Sequence, residues 1–136
     1  MQHLEDELPF DVPQEAKLTF KAVCLQNGIL DLSSRKMNAI APYLIEKDWK
    51  KTSYAECLSP KTYAKMLPPC LLVTSITDAH KRDTNQLAWQ LKLKGTRYSV
   101  HSANNLFTKE SFAARHPETR YAQAANTAML AFFENK

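Results

Sequence analysis

The sequence predicts an α/β domain of about three parallel strands with flanking helices, and three observations carry that prediction. Short apolar runs alternate with segments of helical period along the chain, the order expected of strands joined by helical crossovers. The run "CLLVTSI", 70–76, is apolar at almost every position, as a strand covered on both faces of a parallel sheet is. The segment after it, "RDTNQLAWQLKLKG", places Leu87, Leu91 and Lys94 on one stripe with Trp89 and Leu93 beside it. It closes at Gly95, a residue suited to a helix C-terminus.

The other elements follow in chain order. Residues 1–17, with Pro9 and Pro13 among acids, read as an irregular lead-in, and 18–136 as one α/β domain. "FKAVCLQ", 20–26, is the first strand. "NGILDLSS" after it opens on a turn dipeptide, Asn27-Gly28, and brings Asp31 and a Ser-Ser pair into a loop with room for function. From Arg35 to Trp49, Ile40, Leu44 and Ile45 fall near helical spacing with Pro42 interrupting, so short helices are expected. The same broken pattern continues to Pro68-Pro69, which no helix extends past. "TRYSVHS", 96–102, is a third strand. "PETRYAQAANTAMLAFFEN" opens with Pro117 and Glu118 in a first-turn pattern and sets Tyr121, Ala125, Ala128, Met129 and Phe132 on one helical face.

Composition narrows the function classes. With 136 residues, 44% hydrophobic and 24% charged, the chain is that of a globular protein, and no apolar run approaches the roughly 20 residues of a membrane-spanning helix. The net charge is +4, but eighteen basic residues are interleaved with fourteen acids and no recognition motif accompanies them, which argues against nucleic acid as a partner. Cys24, Cys57 and Cys70 are odd in number and lack metal or redox spacing, which fits a reducing compartment. Cys24 and Cys70 lie inside apolar runs, where cysteine packs as a small hydrophobe. The acidic N-terminus "MQHLEDELPF" is unlike a secretory signal, so a cytoplasmic location is expected.

In parallel α/β sheets, functional groups gather beyond the carboxyl ends of the strands, which makes the abrupt charge after Ile76 the place to look for a site. The stretch "LPPCLLVTSITDAHKRD", with the helix and glycine that follow, resembles the corresponding segment of α/β-hydrolase esterases, especially the hormone-sensitive-lipase-like branch. The resemblance implies a partial α/β-hydrolase fold. It puts Asp78 at the position of the triad acid and Asp83 at the start of the next helix. "FKAVCLQNGILDLSS" is similar to the preceding family strand and loop, and residues 35–67 to the variable, helical cap-bearing stretch. "NNLFTKESFAARHPETRYAQAANTAMLAFFENK" is similar to the terminal segment, where a His-x-Phe signature precedes the last helix.

Two departures bear on activity. The family nucleophile sits in a G-x-S-x-G elbow, and a chain whose only glycines are Gly28 and Gly95 contains neither that elbow nor the glycine-rich oxyanion loop. At the His-x-Phe position stands Asn105, which cannot accept a serine proton at neutral pH. His101, four residues earlier, is then the candidate base, with Asp78 the candidate acid. Each also has a plainer reading: Asp78 as a loop acid or a partner of the helix dipole, and His101 as a structural or exposed histidine. His80 and His116 read as structural or loop histidines. Ser33, Ser34, Ser75 and Ser102, without an elbow, read as turn and capping residues.

The expected function is the C-terminal part of a carboxylic-ester hydrolase that carries the triad-acid position and is inactive alone. The alternatives are a non-catalytic, hydrolase-derived binding or relic module, which Asn105 favours, and an unrelated small α/β binding domain. The resemblance also implies that the strand at 20–26 pairs, in the family, with strands this chain lacks. Its open edge predicts self-association or a companion chain bearing the other half of the fold, with a small ester as the substrate of the completed site. No cofactor is implied, since this chemistry uses side chains alone.

Overall fold

The computed structural model describes residues 20–32, 41–44, 47, 49, 59–104 and 112–135. Three parallel strands form one sheet in the order β1-β2-β3: β1 (Val23–Gln26), β2 (Cys70–Ser75) and β3 (Tyr98–Ala103). Val23 lies opposite Cys70 and Cys70 opposite Tyr98, so the strands start level with one another. All six residues of β2 are buried, as the apolar run Cys70–Val73 requires of a central strand.

Helices cover both faces. The chain leaves β2 into α2 (Lys81–Lys94) and returns as β3, while α4 (Arg120–Glu134) follows β3 after the short α3 (Phe112–Arg115). The side-chain period of two divides β2 between them. Leu71 and Val73 pack with Ala122, Ala125, Met129 and Phe132 of α4, whereas Cys70 and Leu72 pack with Leu87 and Leu91 of α2. Leu72, Leu87 and Leu91 are wholly buried, each contributing roughly 1.5–3 kcal/mol by transfer from water.

The helix ends follow local chemistry. Gly95 takes φ +71° and closes α2, with Thr96 N–H donating to Leu91 O at 3.0 Å. Thr119 caps α4 by accepting from Ala122 N, so this helix starts at Arg120 and not at Pro117-Glu118 as the proline suggested; an N-cap hydroxyl outweighs the proline signal. The helix α2 begins at Lys81, with Asp83 in its first turn. Leu87 and Leu91 face the sheet as expected, while Trp89 and Leu93 are exposed.

Within the expected cap-like stretch, α1 (Ala41–Leu44) and a 3-10 turn (Pro60–Tyr63) are helical. Pro42 is the second residue of α1, where its missing N–H costs nothing, so it opens a helical turn where an interruption was expected. Apart from Lys47, Trp49, Ser59 and 64–67, the other residues of that stretch, the lead-in 1–17 and Asn105 lie outside the described residues. Asp31, read as a loop acid with functional scope, is buried and paired with Lys61 of the 3-10 turn.

Candidate functional site at the carboxyl end of the sheet

Beyond Ser75 the chain turns sharply: Asp78 N–H donates to Ser75 O and Lys81 N–H to Asp78 O, each at 3.2 Å. This turn places the Asp78 carboxylate, in a residue only 6% exposed, over the ends of β1 and β2. Its Oδ2 accepts from Thr74 Oγ1 at 2.7 Å and from Asn27 Nδ2 at 3.0 Å; its Oδ1 accepts from the His80 backbone N–H at 2.8 Å. A carboxylate offers about four lone-pair positions, and one on Oδ1 is left over among the described residues.

Asn27 reaches Asp78 because its backbone takes φ +45°, a left-handed conformation that asparagine tolerates better than most residues. Its N–H donates to Val73 O, fixing it at the end of β1, and its Oδ1 is buried without a donor among the described residues. The sequence marked Asn27-Gly28 only as a turn. Its role, and that of Thr74 inside an apolar run, arises from the parallel register. Asn27 and Thr74 are therefore the site residues that sequence reading missed, and the turn dipeptide was the only available signal for either.

The three described histidines stand in different places. His80 Nδ1 lies 3.6 Å from Asp83 Oδ2 at the start of α2, with both side chains largely buried. His116 is exposed, 3.5 Å from Glu118. His101 sits in β3 opposite Val73, two residues short of the carboxyl end, and lines a hollow of about 420 Å³ with Ser99, Ala128 and Phe132 on the α4 side. Thr74, the donor to Asp78, shares the parity of Cys70 and Leu72 and so belongs to the α2 side. Thr74 and His101 thus face opposite sides of the sheet, and no hydrogen bond joins Asp78 and His101 among the described residues.

The thiols fit the role of packing groups. Burial pushes the Cys70 thiol up to about 11 and raises Cys24 as well, which removes thiolate character at neutral pH. Ser75 is buried, its hydroxyl 3.5 Å from that of Thr77, and Ser102 is exposed at the edge strand. Among the described residues no group of three His, Cys, Asp or Glu side chains is placed to hold a metal ion, and no helix is long and apolar enough to cross a membrane. What the site offers chemically is a buried carboxylate, oriented by neutral donors, with capacity for one further hydrogen bond. An arrangement of this kind can hold an imidazole in one tautomer and stabilise its protonated form.

Comparison with solved structures places the fold. Esterase B of Lactobacillus rhamnosis superposes with a TM-score of 0.79 at 18% identity over 98% of this chain and 46% of the esterase chain. The acylaminoacyl peptidase of Pyrococcus horikoshii gives 0.71 at 23% identity over 86% of this chain and 20% of the peptidase. The chain thus spans under half the length of these hydrolases. No family model and no curated protein matches the sequence. With three parallel strands, helices on both faces and these neighbours, the chain has a partial α/β-hydrolase fold.

Proposed function

We propose that this chain is the C-terminal part of a carboxylic-ester hydrolase, that Asp78 is its triad acid, and that the chain by itself does not hydrolyse esters. The observation that carries the reading is the Asp78 carboxylate: buried, just past the central strand, and held by donors from the ends of both neighbouring segments. In the completed reaction a serine attacks the ester, an imidazole takes the serine proton, and Asp78 fixes the imidazole through the free position on Oδ1. The imidazoles of His80, His101 and His116, as they stand, do not reach Asp78. The elbow serine and the oxyanion donors come from outside these 136 residues.

Esterase B is described in complex with a tributyrin phosphonate, which makes a short-chain ester the natural first substrate to try. The purified chain should release nitrophenol from 4-nitrophenyl butyrate only at background rate. Combined with a polypeptide from the same genome that carries a G-x-S-x-G elbow, it should gain turnover that Asp78→Asn abolishes. Turnover by the chain alone, or reconstituted turnover indifferent to Asp78→Asn, would remove the proposal. Asn105 in place of the family histidine favours a second reading, a hydrolase-derived binding module without catalysis. Under it, no elbow-bearing polypeptide restores turnover.

A further inference from the structure

At the opposite end of the sheet, the residues just before the three strands meet. Lys21 and Ala22 precede β1, Pro69 precedes β2 and Arg97 precedes β3. They are drawn level by Val23 N–H donating to Pro69 O at 2.9 Å and Cys70 N–H donating to Arg97 O at 3.0 Å. With Phe132 and Asn135 from the end of α4 they enclose a hollow of about 310 Å³. Its wall is mostly apolar, and its charged groups are two cations and no acid.

The cations are differently held. Arg97 donates from Nη2 to Asn135 O at 2.8 Å, and its guanidinium lies 5.7 Å from the centre of the Phe132 ring, so it is fixed at the rim before any ligand arrives. One of its five N–H groups is used in that bond, leaving the others for an acceptor. Lys21 has no ion-pair partner among the described residues. The carbonyls at the end of α4 would repel an anion, and the Arg97 bond to Asn135 O offsets that field where the charge would sit.

We propose that this hollow binds a small monocarboxylate with a compact apolar body. The carboxylate lies between Arg97 and Lys21, and the body rests against Phe132, Pro69 and Ala22. A planar guanidinium suits a carboxylate, and an apolar pocket with a few convergent polar groups is how small ligands are held. The site is separate from the Asp78 end and does not depend on the chain being part of a hydrolase.

The test is an NMR titration of the full chain at constant ionic strength with sodium hexanoate, hexanamide and acetate, following backbone amide signals. Hexanoate should shift Ala22, Arg97, Phe132 and Asn135 saturably at about 10 mM or below, with hexanamide and acetate about tenfold weaker. Arg97→Gln should weaken hexanoate about tenfold, and Lys21→Gln a few-fold. Because Arg97→Gln also loosens the end of α4, Lys21→Gln is the variant that reads binding without touching that contact. The proposal fails if hexanamide binds as well as hexanoate, if the shifts fall elsewhere, or if neither substitution changes the affinity.

Discussion

Thr74 and Asp78 are joined by a 2.7 Å hydrogen bond between side chains, across the point where β2 ends and the chain turns toward α2. The bond links the last buried polar residue of the α2 face to the carboxylate proposed as the triad acid. Fixing Asp78 and folding this corner are therefore one and the same event. Thr74→Val keeps the shape but removes the donor, and should cost about 1–2 kcal/mol. Asp78→Asn turns an amide donor toward donors and should cost about 2–3 kcal/mol. Urea unfolding of the two variants checks both values; an Asp78→Asn variant as stable as wild type would mean the carboxylate is not held as described.

The buried Cys70 thiol gives the fold a pH dependence on the alkaline side. The Cys70 thiol is raised from 9.0 to about 11 in the folded chain, so the unfolded chain loses its proton first. Its contribution is complete below about pH 9 and is lost as pH rises toward 11, on the order of 2 kcal/mol in all. Stability measured from pH 8 to 11 should fall more steeply in a Cys57→Ser protein than in one also carrying Cys70→Ala. In the same background, a thiol reagent at pH 8 should label Cys24 and Cys70 only slowly until the chain is unfolded.

The edge of β1 should show alternate protection. Val23 and Asn27 donate toward β2, so by the strand period Leu25 does too, while the N–H groups of Cys24 and Gln26 point to the side of β1 on which no strand pairs among the described residues. In dilute solution the Cys24 and Gln26 amides should exchange faster than those of Leu25 and Asn27. Self-association or a companion strand should slow exactly those two. Gln26→Pro removes one outward donor without touching a bond to β2 and should reduce the association. A clean monomer of 15.5 kDa at micromolar concentration, seen by light scattering, would count against self-association through this edge.

Gly95 offers a backbone test with no packing component. A Cβ added there meets no atom within 4 Å, yet φ is +71°. Gly95→Ala should therefore cost about 1 kcal/mol through conformation alone, whereas Leu87→Ala in the α2 face should cost about 2–5 kcal/mol through the cavity it leaves. Thermal or urea unfolding of the pair separates the two mechanisms.

The sequence by itself determined the three strands and the two long helices. These depend on short-range patterns: the apolar run of β2 can only be a covered strand, Leu87 and Leu91 share a helical stripe, and Gly95 ends it. It misjudged the start of α4, where the Thr119 hydroxyl wins over Pro117, and the part played by Pro42 in α1. What only the tertiary structure decided is which groups meet. Asn27 and Thr74 are 47 residues apart in number, and their convergence on Asp78 is set by the parallel register of β1 and β2, which no local pattern encodes. The same holds for His101: its closeness in sequence to the family histidine position says nothing of the sheet face it takes. That face follows from the period-two alternation of β3, counted from the Val73 pairing, and it puts His101 on the face opposite to Thr74.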